Sequence, residues 1–151
     1  MSQSNLSDSL DKGIFSKGIY LENLGITIPW ELDCDQLKNY KPSRIKVESK
    51  RRNVMTWDSV KILNGILTSI NYECSKPIMP KKGYKKIITL TCPITSEDAK
   101  KLNIFFNRYS ASSVVDKRDA SNICMWSIND CIVVLASHKK YGHLLNIQKS
   151  Q

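Results

Sequence analysis

The stretch Asn53–Cys74, NVMTWDSVKILNGILTSINYEC, governs how the rest of the chain is read. Three apolar runs lie in it: Val54–Trp57, Val60–Leu63 and Ile66–Tyr72. Asp58-Ser59 separates the first two and Asn64-Gly65 the last two. Asn-Gly between β-prone runs signals a hairpin, because both central residues of a type I′ turn take φ > 0. Ile66, Thr68, Ile70, Tyr72 and Cys74 share one parity, as the two-residue period of a half-buried strand requires. The stretch reads as a three-stranded antiparallel meander.

A second stretch echoes it. Asn122-Ile-Cys-Met-Trp126 repeats the spacing of Asn53-Val-Met-Thr-Trp57. After it come a turn at 127–130, the apolar run Cys131–Leu135, a turn at 138–142 and His143–Ile147. Upstream of each meander lies a strand and then a helical segment: Ile26–Ile28 before 31–40, and Ile87–Leu90 before 96–109. The expected fold class is therefore α+β, with antiparallel sheet, in two sheets or one, built from two strand–helix–three-strand halves in tandem. Helices Asp33–Tyr40 and Ser96–Tyr109 would cover one face. The halves span 17–75 and 84–148, joined by a Pro- and Lys-rich connector, 76–83, that proline keeps extended. Residues 1–16 form a polar, flexible N-terminus to a single domain over 17–151. Gly18–Leu21 and Leu24–Ile28 read as one interrupted strand or a short hairpin. Arg44–Glu48 alternates basic and apolar residues as a strand, with a turn at 49–52. Asp33 and Thr95 or Ser96 are N-cap candidates. Ala99, Leu102, Phe105, Phe106 and Tyr109 make one helical face. Val114–Ser121 reads as a solvated loop.

The 151 residues suffice to bury roughly 70 per cent of the unfolded surface, so folding requires neither metal nor disulfide. Apolar runs stay far below the ~20 residues of a membrane span, and the polar start has no secretory pattern, which leads to an expected cytosolic location. Cys34, Cys74, Cys92, Cys124 and Cys131 are odd in number and hold no CxxC pair, so free buried thiols are expected; a Cys124–Cys131 bond is the one disulfide considered. The Trp residues and the Phe105-Phe106 pair have apolar neighbours and are assigned to the core.

The net charge of +9 is uneven. Acids dominate up to residue 37, whereas Lys38–Arg52 holds seven bases and one acid, and Lys76–Lys86 five lysines and no acid. Arg44, Lys46, Lys50, Arg51, Arg52, Lys81, Lys82, Tyr84 and Lys85 are accordingly the candidate partner-binding residues. Phosphate contacts with stacking on Tyr84 would suit single-stranded nucleic acid. Lysines on strand edges that discourage pairing would look the same. Catalytic patterns are missing, and no catalytic residue, cofactor or metal site is expected. His138 and His143, with Cys131, fall short of a structural zinc set and read as solvated turn residues.

LGITIPWELDCDQLKNY (24–40) and TWDSVKILNGI (56–66) resemble segments of small bacterial proteins that serve as immunity partners of secreted toxins. That resemblance implies a compact, non-enzymatic α+β module, monomer or homodimer and free of the membrane, that blocks a cognate toxin by protein–protein contact. The positive charge then calls for an acidic toxin surface, or for contact through the acidic N-terminal third. The alternative is a basic protein that binds single-stranded nucleic acid.

Overall fold

Strands follow one another with few interruptions in this computed structural model, which describes residues 14–30, 32–49, 52–75, 87–109, 113–116, 122–138 and 142–150. The elements are β1 (Gly18–Leu21), β2 (Ile26–Pro29), α1 (Cys34–Leu37) with a 3-10 turn (Lys38–Tyr40), β3 (Arg44–Ser49), β4 (Arg52–Ile62), β5 (Ile66–Ser75), β6 (Ile87–Ile94), α2 (Ser96–Phe106), β7 (Ser113–Asp116), β8 (Asn122–Ile128), β9 (Cys131–His138) and β10 (Gly142–Ser150). Strands β1 and β2 form a hairpin of their own. The other eight make one antiparallel sheet in the order β3-β4-β5-β6-β10-β9-β8-β7. The mostly antiparallel α+β architecture read from the sequence is the one observed.

That order runs sequentially inward from both edges, and the register repeats with it. On one side Arg44 pairs with Thr56, Thr56 with Asn71 and Asn71 with Thr91. On the other, Ser113 pairs with Met125, Met125 with Val134 and Val134 with Asn146. The two rows meet at the Thr91–Asn146 pair.

Several expectations are corrected. Val54–Trp57 and Val60–Ile62 belong to a single strand, β4, with Leu63 in the loop after it, so the first meander is β3-β4-β5. Asp58-Ser59 is a bulge rather than a turn because its groups find partners in place. The Asp58 N–H donates to Ser43 Oγ (3.0 Å), and Ser59 C=O accepts from Asn23 Nδ2 (2.9 Å). The β4–β5 loop has three residues at positive φ, Leu63 (49°), Asn64 (68°) and Gly65 (95°). The Glu22 carboxylate, at the tip of the β1–β2 hairpin, accepts from the N–H groups of Asn64 (2.9 Å) and Gly65 (2.7 Å). Within the loop expected at 114–121, Ser113–Asp116 is instead strand β7, paired with β8. Helix α2 ends at Phe106, short of Tyr109, because Asn107 caps it. Ile14 and Phe15, placed in the flexible tail, are buried: Trp30 Nε1 donates to Phe15 C=O (2.6 Å), and the Phe15 ring lies 6.3 Å from that of Phe106. The connector 76–83 lies outside the described residues.

The core sits on one face of the sheet. Ile66, Thr68, Ile70, Tyr72 and Cys74 all point into it, as their parity required. Hairpin β1–β2, α1 and α2 contribute to the same buried cluster. Asp33 and Gln36 close a capping box on α1, and Thr95 Oγ1 accepts from the Asp98 N–H (3.1 Å) to start α2. Trp30, Trp57, Trp126 and Phe106 are core residues, as read from the sequence. Trp57 and Trp126 hold matching posts. Trp57 Nε1 donates to Tyr40 C=O (2.9 Å) at the end of the 3-10 turn, and Trp126 Nε1 donates to Asn107 Oδ1 (3.0 Å) at the end of α2.

The cysteines depart from the sequence reading. Cys34 of α1 and Cys74 of β5 form a disulfide, with Cα atoms 5.5 Å apart, and only Cys92, Cys124 and Cys131 are free. Sequence spacing hides this bond, because 40 residues separate partners that only the docking of α1 on β5 brings together.

Candidate functional site: the open face of the sheet

Strand alternation sends every second side chain away from the core, and among the described residues nothing covers that opposite face. Its chemistry is divided. Across β3–β6 it is polar and charged, with a concavity of about 650 Å3 lined by Arg44, Lys46, Glu48, Thr56, Asn71 and Glu73, among others. Across β8–β10 the same face presents Met125, Ile132, Val134, Ala136 and Leu144, all half-buried or exposed.

Side-chain bonds fix the polar half. Arg44 meets Asp58 through two contacts, Nε–Oδ2 at 3.1 Å and Nη2–Oδ1 at 3.0 Å, and Ser69 Oγ also donates to Asp58 Oδ1 (3.1 Å). Arg52 bridges Glu48 (3.2 Å) and Glu73. Thr56 Oγ1 donates to Asn71 Oδ1 (2.8 Å), and Asn146 Nδ2 donates to Thr91 Oγ1 (3.2 Å). Asn146 Oδ1 is buried in the middle of the sheet and has no partner among the described residues.

Of the candidate partner-binding residues, Arg44, Lys46 and Arg52 come together on this half, on neighbouring strands. Lys50, Arg51, Lys81, Lys82, Tyr84 and Lys85 lie outside the described residues. The structure adds Thr56, Asn71, Thr91 and Asn146, a polar row running across four strands. Their parity opposite to the buried residues was the available signal. Two arginines of the basic run face acids, since Asp58 and Glu73 arrive from β4 and β5. Among the described residues three bases (Arg44, Lys46, Arg52) therefore stand beside three acids (Glu48, Asp58, Glu73), which balances the described part of the patch.

A second concavity, about 670 Å3, opens between α2 and the end of β8–β10, lined by Ala99, Asn103, Cys124, Leu135, Ser137 and His143, among others. His143 Nδ1 lies 2.7 Å from Ser137 Oγ, so this histidine is a half-buried strand residue rather than a solvated turn residue. His138 is likewise half-buried, at the end of β9. Cys131 sits at the opposite end of that strand, seven residues away and thus roughly 23 Å from His138, so the three cannot share an ion. Burial pushes the Cys131 thiol up to about 11, with Lys149 opposing the shift and Asp130 adding to it. The Cys92 thiol and the Tyr72 hydroxyl are also raised by burial. Each stays protonated at neutral pH, which suits core packing rather than nucleophilic chemistry.

Among the described residues no helix is long and apolar enough to cross a membrane, and no group of three or more His, Cys, Asp or Glu could hold a metal ion. Compared with family models, with curated proteins and with solved structures, the chain matches none.

Proposed function

We propose that this chain is a non-enzymatic binding protein that neutralises a cognate protein toxin, and that it docks through the open face of the eight-stranded sheet. The observation that carries the proposal is the pairing on one face of an apolar half with a polar half whose charges are balanced. Protein interfaces share that composition, an apolar patch beside polar groups that fix register. The scale also fits. Eight strands at ~4.8 Å spacing and about 20 Å of strand length give roughly 800 Å2, one partner's share of a standard interface. The balance among the described residues supports contact with a toxin surface that is not strongly acidic.

The tandem reading belongs to the same proposal, with a moved boundary. Palindromic strand order, repeated register and the matched Trp57 and Trp126 support a unit of one helix and four strands, α1 with β3–β6 and α2 with β7–β10. Single-stranded nucleic acid is the weaker reading. Among the described residues the open face carries no Phe, Tyr or Trp ring for stacking, and Arg44 and Arg52 are occupied by carboxylates. A compartment that permits disulfides would suit the Cys34–Cys74 bond better than the cytosol. Thiol trapping in the native cell distinguishes the two.

The test is co-expression with the toxic region of a secreted protein encoded beside this chain. Wild type should restore growth and bind that region in calorimetry. Val134→Lys, on the open face, should weaken binding at least about tenfold, as a disrupted interface centre does, whereas Ile104→Lys, exposed on α2, should leave it unchanged. Rescue insensitive to Val134→Lys would refute the face. Salt-sensitive binding to generic oligonucleotides, without any rescue, would replace the proposal with the nucleic-acid reading.

A further inference from the structure

Asn64 and Gly65, in the loop between β4 and β5, are both exposed. Every other asparagine in the chain is followed by a residue that carries a Cβ. An asparagine before glycine is the one most open to attack by its own backbone, because no side chain shields the next amide nitrogen. Around Gly65 nothing lies within 4 Å of where a Cβ would stand. That amide is nevertheless held. Gly65 N–H donates to Glu22 Oε1 (2.7 Å) and Asn64 N–H to Glu22 Oε2 (2.9 Å), so both oxygens of one carboxylate grip the peptide from the β1–β2 hairpin. The hairpin tip is itself fixed to β4. Glu22 N–H donates to Lys61 C=O (2.8 Å), and Asn23 Oδ1 accepts from Lys61 N–H (2.9 Å).

We propose that Asn64 is a self-modification site, a deamidation centre whose rate is set by Glu22. The Gly65 nitrogen gives its proton to solvent and attacks Asn64 Cγ. The bond from Cγ to the side-chain nitrogen then breaks, and that nitrogen takes a proton and leaves as ammonia. Water opens the resulting five-membered imide at one of its two carbonyls, which leaves aspartate or isoaspartate at position 64. Water is the only co-reactant, and nothing is oxidised or reduced. Glu22 opposes the first event in two ways. Its negative charge disfavours the amide anion that forms when the Gly65 proton departs. Its grip on both N–H groups keeps the peptide from turning, so reaction waits for local opening of the loop.

Conversion undoes the clamp. Isoaspartate routes the main chain through Cβ and Cγ, which inserts one carbon between the two nitrogens that Glu22 bridges. The spacing that let one carboxylate accept from both is lost, and the loop gains a negative charge. Asn64 thus records the age of the molecule in how firmly the β1–β2 tip is held.

Ageing the full chain in warm, mildly alkaline buffer tests this, with peptide mass spectrometry reading the gain of one mass unit at Asn64. Wild type should convert slowly. Glu22→Ala should convert at least about fivefold faster, the rate equivalent of the ~1 kcal/mol that its hydrogen bonds contribute. Trp126→Phe, which weakens the other half of the sheet and keeps the clamp, should convert at the wild-type rate. Amide exchange at residues 64 and 65 should be faster in the converted fraction, separated by its added charge, than in unconverted protein. Circular dichroism reports whether each variant is folded. Equal or slower conversion in Glu22→Ala, or acceleration by Trp126→Phe to match it, would overturn the gating by Glu22. Conversion of other asparagines in folded wild type as fast as Asn64 would overturn the site. These readings are independent of whether a toxin binds the open face.

Discussion

Breaking the Cys34–Cys74 bond tests how the sheet and its cover are joined. The bond closes a loop of 40 residues in the unfolded chain. Loop-closure entropy for that length corresponds to about 4 kcal/mol of stability, and for a chain of this size that is roughly 8–16 °C in midpoint. Both sulfurs are buried, so reduction leaves two small thiols in place and adds little cavity cost. The loss should appear first at α1. Four residues of helix are far below the length that persists alone in water, and besides the disulfide α1 keeps only its capping box and the buried Leu37. Loosening α1 and the following turn releases Tyr40 C=O from Trp57 Nε1, which shifts Trp emission to the red before global unfolding. The assay is urea unfolding of wild type against a Cys34→Ala/Cys74→Ala double variant, followed by far-UV dichroism and Trp fluorescence. A thiol count in denaturant accompanies it. The bond predicts that Cys92, Cys124 and Cys131 alone react without reductant, and that all five cysteines react after reduction. Five reactive thiols in unreduced protein, or coincident unfolding curves for the two proteins, would refute the reasoning.

Further perturbations address other parts of the fold. Gly18 (φ +154°) faces Ile28, and an added Cβ would stand 1.9 Å from the Ile28 carbonyl oxygen, so Gly18→Ala should cost roughly 2–4 kcal/mol in chemical unfolding, more than a surface change would. Glu22→Ala removes the acceptor of two loop N–H groups and should cost about 1 kcal/mol, with faster amide exchange at Asn64 and Gly65 as its local signature. Trp126→Phe keeps most of the buried ring but removes the donor to Asn107 Oδ1, which is exposed and can turn to water, so the cost should be about 0.5–1.5 kcal/mol; an unchanged midpoint would show that the indole bond contributes nothing. Stability should fall as pH rises from about 9 towards 11, because the unfolded chain releases the Cys131 proton over that range while the folded chain retains it. Burial of Cys92 and Tyr72 adds to the same fall, so Cys131→Ala should lessen the slope without removing it.

How far the sequence could be read depended on whether a signal was local. Parity on β5 identified buried side chains correctly because a strand alternates whatever its neighbours do. Helix starts at Asp33 and Thr95 were legible because a cap bonds within three residues. The β4 bulge was not, since Asp58-Ser59 looks like a turn until Asn23 and Ser43, distant in sequence, supply its partners. Strand β7 was overlooked because Asp116-Lys-Arg-Asp119 outweighs Val114-Val115 in any short window, whereas pairing with β8 decides the matter. The candidate site was half legible. Its bases were plain, but Asp58 and Glu73, which pair with Arg44 and Arg52, come from positions outside the run, so the two described arginines that read as free cations in one dimension are paired in three.

That balance bears on what the sheet can do. Among the described residues the open face pairs both of its arginines with carboxylates and holds a Thr/Asn row by hydrogen bonds, so a partner that matches it avoids part of the ordering cost, about 0.5–1.5 kcal/mol for each immobilised flexible side chain, with Lys46 left to order. The buried face supplies the stiffness. Two indoles tie the sheet to the ends of both helical segments, a carboxylate holds the β4–β5 loop, and a disulfide ties α1 to β5. A phosphate-binding surface gains from the opposite design, mobile unpaired lysines that track a flexible backbone. A rigid and charge-balanced face instead favours a single folded partner of matching shape, which is why the protein-docking reading explains more of this molecule than its net charge does.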